Sequence, residues 1–308
     1  MHRTRADREA PIRVTRRALA VLAALVVVAA CRSSSPTTST TTTTVPVLGP
    51  TRPSTTLTTT TLGATNDPSF HTRRAGALTV ATDHLTAPYF DLDPATGAAV
   101  DGFEFDLARV LASRLGLGRV IVVRGSLVSI QRGFDCGCDL FLGGVAVTDA
   151  LARRVDLSVP YVAADPVALV RAGVPAPTVV TARTLRWAIA ATDDQAVRVI
   201  NESIKPDTSI RTVPTTDDVV RIIATGEVDA GILPAPVALL AAKADPTLAV
   251  AGRFGLQTGW AVVEGLGSAN SPSLNDLIER LASDGTLAFI NRLHLGVEPA
   301  NLPPIVAG

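Results

Sequence analysis

Residues 139 to 161 read DLFLGGVAVTDALARRVDLSVPY, and the chemistry they suggest is capture of a charged group at a helix start. An apolar strand-like run passes Gly143 and Gly144 and meets Thr148 and Asp149, residue types that favour a helix amino terminus. Such a junction offers unpaired backbone N–H groups and the positive end of the helix dipole, which together hold anions. A cation in the first helical turn would close on that anion, yet the place holds Leu151. Other acids stand at element ends. Asp83 closes ALTVATD, residues 77 to 83, and Asp193 and Asp194 open DDQAVRVINESI. Each reads first as a turn or helix-capping acid and second as a binding group. Thr148 is an N-cap that can also offer a hydroxyl to a ligand. No metal site and no cofactor are expected: beyond Cys31, the cysteines are Cys136 and Cys138 in FDCGCD, and none of the four histidines is near them in sequence. That pair reads as a local disulfide or as two thiols at a strand entrance.

The elements that must position these residues alternate short apolar strands with amphipathic helices from about residue 75. ALTVATD is a buried strand, FEFDLARVLASRLG a helix ending at Gly116, GRVIVVRG a second strand and CDLFLGGVAV a third. After the extended run PYVAADPVALVRAG and the Pro-rich VPAPT, RWAIAA opens a second series: helix DDQAVRVINESI, strand TSIRTV, helix TTDDVVRIIATGE, strand VDAGILP and helix APVALLAAK. GWAVVEG reads as a return strand, and residues 271 to 296 as two closing helices capped by Ser271 or Ser273. Strand–helix–strand units of these lengths predict an α/β fold with parallel crossovers. Two crossings between two such lobes make a hinge around a cleft suited to small molecules. Trp187 and Trp260, on strands, are expected in the core rather than as sugar-stacking platforms.

The chain of 308 residues balances 28 basic against 28 acidic side chains. Residues 1 to 31 hold six arginines and two acids, which leaves 22 bases against 26 acids in the rest. This excludes a basic field for nucleic acid. The amino terminus itself is an export signal: a basic stretch, the 13-residue apolar run ALAVLAALVVVAA, then Cys31. The run is shorter than the roughly 20 residues a membrane span needs. Residues 32 to 72, rich in Thr, Ser and Pro, cannot bury enough surface to fold and are expected to form a solvated tether. Val28 to Cys31 resembles the lipobox of bacterial lipoproteins, which implies lipidation at Cys31 and attachment to the extracytoplasmic face of the cell membrane.

Four collinear stretches carry a wider resemblance: GFEFDLARVLASRL, GGVAVTDALARRVDLSVPY, GEVDAGILPAPVALL and SDGTLAFINRLHLG. Together they resemble the bacterial extracellular solute-binding proteins of the polar amino acid type, over about residues 75 to 297. The resemblance implies a two-lobed, type II periplasmic-binding-protein-like fold joined by two hinge strands. Lobe one would comprise residues 73–167 plus 258–304, and lobe two residues 168–257. It implies a monomer that is not an enzyme, captures a small solute and delivers it to an ABC transporter permease. Dehydratase activity, known on similar scaffolds, would need cationic carboxylate binders that are missing here.

Carried over position by position, the family pattern is broken where it would hold a free amino acid. The arginine that grips the ligand carboxylate is Leu151; the acid that grips its ammonium is Pro234. The stacking aromatic is Thr86, with Tyr89 keeping a second aromatic place, and a hydroxyl contact is Ala146. The Gly-Thr-Thr helix start of the second lobe reads Thr192, Asp193, Asp194. The expected site is therefore Asp83, Tyr89, Gly144, Thr148, Asp193 and Asp194, suited to a neutral or cationic solute. The alternative is a scaffold that has lost ligand binding and serves a protein or envelope partner; its signature would be a cleft filled by its own side chains.

Overall fold

The computed structural model describes residues 70–85, 88–133 and 135–305, all within the second of two compact units, Thr60–Gly308. The export signal, Cys31, residues 32–69 of the expected tether and Thr86 lie outside the described residues, whereas Phe70 packs against the first lobe's core and the His71 N–H donates to Asn270 at 2.8 Å. No described helix is long and apolar enough to cross a membrane.

The fold is α/β and has two lobes, each built on a five-stranded sheet. In the first sheet the order is Arg119–Arg124, Ala77–Thr82, Leu140–Phe141, Val263–Gly265 and Val155–Leu157. The first three run parallel, and Val263–Gly265 runs antiparallel to its neighbours. All six residues of Ala77–Thr82 are buried, as a strand covered on both faces requires. Alternate residues serve opposite layers. Leu78 and Val80 meet Phe103, Leu107 and Leu111 of helix Phe103–Arg114, together with Leu274, Ile278 and Leu281 of helix Ser271–Ser283. Ala81 meets Ile130, Phe141, Leu151, Val155 and Val263 on the other side.

The second sheet has the order Arg211–Val213, Trp187–Ala190, Ala230–Pro234, Pro166–Arg171 and Leu248–Arg253. Pro166–Arg171 is antiparallel to both its neighbours. Helices Thr216–Ala224 and Ala235–Ala244 cover one face, and residues 194 to 204 the other. Trp187 is 1% exposed and donates its indole N–H to the Ala182 carbonyl at 2.7 Å.

Two crossings join the sheets where Val162–Ala163 pairs antiparallel with Gly259–Trp260. Asp165, 5% exposed, braces the spot: one carboxylate oxygen accepts the Thr258 N–H at 2.9 Å and the other takes Arg253 at 3.1 Å. The Thr258 hydroxyl donates to the Ala164 carbonyl at 2.9 Å. A buried carboxylate so fully bonded orders the two crossings relative to each other.

Several sequence expectations need correction. The third strand spans only Leu140–Phe141, because the turn at Gly143 and Gly144 breaks the ladder; Ala146 regains a single bridge, to Trp260. The helix expected over 193 to 204 turns π-helical over Val199–Ile204. GWAVVEG is two short strands, Gly259–Trp260 and Val263–Gly265. Helix Ser271–Ser283 starts after Asn270 with no side-chain cap bond, because the Asn270 amide is engaged with the His71 backbone at 2.8 Å. Ser271, one of the expected caps, stands inside the helix and shares its hydroxyl between Glu264 at 2.8 Å and Asp156 at 3.1 Å. Strand Leu248–Arg253 and the hairpin Asp91–Leu92 with Ala99–Asp101 were not foreseen. The carboxyl-terminal stretch, expected with lobe one, bridges Pro304 to Arg253 of the second sheet.

Candidate functional site

A cleft of about 440 Å³ opens between the lobes beside the hinge. From the first lobe it is lined by His84, Tyr89, Gly143, Gly144, Ala146, Thr148 and Trp260. The second lobe supplies two helix starts, Thr192 to Gln195 and Pro214 to Thr216, with Pro234 and Val237.

The double glycine is required by close approaches rather than by the turn alone. A Cβ on Gly143 would stand 2.8 Å from the Phe141 ring and 2.9 Å from an Asp83 carboxylate oxygen. Gly144 has φ +62, and a Cβ there would press the Trp260 indole at 3.2 Å. This turn aims the Gly144 N–H into the protein, where it donates to Glu104 at 2.8 Å. Glu104 is wholly buried, and the same carboxylate oxygen accepts the Tyr161 hydroxyl at 2.6 Å. Its second oxygen has no partner. Burial pushes the Glu104 carboxyl up, against the lowering effect of its two hydrogen bonds. An acid thus lies directly beneath the cleft floor, a residue that sequence reasoning missed; its signal was a glutamate on the inward face of an otherwise apolar helix start.

Of the expected site residues, Tyr89, Gly144, Thr148, Asp193 and Asp194 line the cleft. Asp83 is about half exposed and stands behind Gly143, next to His84 at 3.4 Å. His84 was missed; its ring meets Tyr89 edge-on with centroids 4.9 Å apart, so it occupies the rim where Asp83 was expected. Burial, followed by Glu104 and Asp217, pushes the Tyr89 phenol well up, so it stays a neutral hydroxyl. Thr148 caps helix Asp149–Ala152 by accepting the Leu151 N–H at 3.2 Å. Asp193 caps helix Asp194–Arg198 in the same way through Ala196 at 2.9 Å. Burial pushes the Asp193 carboxyl up, ahead of the lowering backbone bonds and the raising effect of Asp194. Gln195 carries a buried amide oxygen without a partner.

Leu151 faces away from the cleft. It is 8% exposed and belongs to the apolar layer with Ala81, Phe141 and Val155. Arg153 and Arg154 are exposed and line a separate groove. No lysine or arginine is among the described residues lining the cleft. Pro234 stands at the start of helix Ala235–Ala244 and contributes no charge. Trp260 is 2% exposed, core as expected, yet its indole backs the cleft wall. Cys136 and Cys138 are joined as a disulfide with Cα atoms 5.2 Å apart.

The family model for bacterial extracellular solute-binding proteins, family 3, matches residues 78–297. The chain belongs to this family. Family 3 proteins bind solutes outside the cytoplasm for ABC transporters, amino acids prominent among them. Among solved structures, similarity extends to an ancestral cationic amino acid solute-binding protein (AncCDT-1), at 22% identity and a TM-score of 0.60, covering 71% of this chain and 96% of that one. The amino acid ABC transporter substrate-binding protein AbpA from Streptococcus pneumoniae, bound to L-arginine, shares 24% identity with a TM-score of 0.57, covering 72% and 95%. The arginine-, lysine-, histidine-binding protein ArtJ from Geobacillus stearothermophilus gives 21% identity and a TM-score of 0.54, covering 72% and 96%. At these identities the likeness establishes the two-lobed fold. No curated protein matches the chain.

Proposed function

We propose that this family 3 protein captures a small neutral or cationic polar solute, without gripping it through a carboxylate of the solute's own, and presents it to an ABC permease. The observation that carries the reading is the lining of the cleft: Asp193 and Asp194 with Asp83 behind the rim, and no lysine or arginine among the described lining residues. An acid-lined, partly desolvated cleft favours a cation and opposes a carboxylate. The unpartnered Gln195 oxygen adds a neutral hydrogen-bond acceptor. AbpA is bound to L-arginine, and ArtJ binds arginine, lysine and histidine, basic amino acids that fit the same charge preference. Loss of binding is the weaker reading, because the cleft is open rather than filled by its own side chains.

In the same proposal the two lobes divide at the hinge crossings, where Val162–Ala163 pairs with Gly259–Trp260. The protein acts as a monomer without enzymatic activity, held at the extracytoplasmic face of the cell membrane through lipid on Cys31. Thermal shift against a metabolite panel tests the ligand class. Stabilisation by amines, guanidines or neutral polar solutes is expected; stabilisation confined to acidic or ordinary neutral α-amino acids would overturn it.

A further inference from the structure

Outside the cleft, the first lobe carries a groove of about 690 Å³ lined by Arg73, Arg132, Arg153 and Arg154 beside the Cys136–Cys138 bridge. Arg132 and Arg153 terminate two different helices, Leu127–Gln131 and Asp149–Ala152. All three of Arg132, Arg153 and Arg154 are exposed, and none makes a side-chain hydrogen bond or ion pair among the described residues. Many arginines elsewhere carry carboxylate partners, as Arg114, Arg186, Arg211 and Arg253 do, and those that do not, such as Arg74, Arg119, Arg124 and Arg280, are not among the residues lining this groove. The acids in the groove are already engaged. Asp135 pairs with Arg73 at 2.5 Å, Asp139 accepts the Arg73 and Thr79 N–H groups at 2.7 Å, and Glu264 is 4% exposed and takes Ser268 and Ser271. Three guanidiniums without side-chain partners therefore line one groove of a body whose residues 70 to 305 hold 20 bases against 25 acids.

We infer that this groove docks on the phosphate headgroups of an anionic membrane. Guanidiniums match phosphate in shape and charge, and basic clusters near a bilayer draw on its negative surface potential. The occupant follows from where the chain enters the body. Arg73 forms the groove wall and is pinned there through its backbone N–H to Asp139 and its guanidinium to the Cys138 carbonyl at 2.9 Å. The 41 residues of coil-like composition between Cys31 and Arg73 span roughly 35 Å root-mean-square. The groove thus opens where an anchored chain approaches its membrane. The location rests on the anchoring proposed above; the headgroup chemistry rests on the three arginines alone.

The full chain, bound to vesicles of phosphatidylcholine alone or mixed with phosphatidylglycerol, is followed by amide hydrogen exchange. Exchange at residues 131–133 and 150–154 is expected to slow about tenfold or more on the anionic vesicles only, and to recover at high salt. The triple variant Arg132→Gln, Arg153→Gln, Arg154→Gln removes the protection, while the corresponding triple Lys variant keeps most of it. Equal exchange on both vesicles, or protection that survives the Gln variant, overturns the inference. So does the same protection from inorganic phosphate on neutral vesicles, which would assign a small-anion pocket instead. Failure of anchoring shows separately, as a chain that does not sediment with neutral vesicles and carries no lipid mass at Cys31.

Discussion

Replacing Leu151 with alanine separates the two roles that its position could have. Leu151 sits three residues after the cap Thr148, which lines the cleft, yet its side chain lies in the apolar layer with Ala81, Ile130, Phe141, Val145, Val155 and Val263. Truncation removes three carbons from a site 8% exposed. At about 0.8 kcal/mol per buried methylene the transfer loss is about 2.4 kcal/mol, and the cavity left in a layer pinned by two strands brings the cost to about 3 kcal/mol. Urea unfolding should show this as a lower midpoint with an unchanged slope. Affinity for whichever solute the panel identifies should stay within about threefold in calorimetry, a difference of under 1 kcal/mol. A stability loss below about 1 kcal/mol, combined with a tenfold or larger affinity change, would put the side chain in the cleft and refute the reasoning.

Other outcomes follow from the same geometry. Asp193→Asn keeps the cap bond to Ala196 and should change stability by less than about 0.5 kcal/mol, while weakening a cationic solute roughly tenfold or more in calorimetry. Because burial raises the Asp193 carboxyl, cation affinity in the unaltered protein should decline on acidification at a pH above the ordinary carboxyl value of 3.8. Glu104 is raised as well, so its contribution to stability is intact below the ordinary value of 4.5 and lost as pH rises through the higher native value. Glu104→Gln should therefore abolish that part of the decline in a pH series of unfolding curves. Gly144→Ala, at φ +62 and against the Trp260 ring, should cost about 1 to 2 kcal/mol in unfolding and loosen the cleft floor.

The lobes were legible because buried parallel strands such as Ala77–Thr82 read as unbroken apolar runs, and the covering helices as periodic ones. Short elements were not. Leu140–Phe141 is followed by glycines crowded by Asp83 and Trp260 from elsewhere in the chain, a constraint that local pattern does not contain. Helix caps were read well where the side chain has no competing partner, as at Thr148 and Asp193. They were misread at Ser271, whose hydroxyl goes to Glu264 and Asp156. In the cleft, the residues at strand and helix ends were visible from sequence. Glu104 and His84 were not, because an acid in a helix start and a histidine in a loop become site residues only through the packing of Gly144, Tyr161 and Tyr89 around them.

The claim on which the rest depends is that this cleft grips no carboxylate. Calorimetric titration of the purified protein with arginine and with agmatine, the same molecule without its carboxylate, tests it directly. The account predicts that agmatine binds at least as tightly as arginine. Arginine binding about a hundredfold more tightly, equivalent to some 2.7 kcal/mol, would show a carboxylate clamp in place and contradict it.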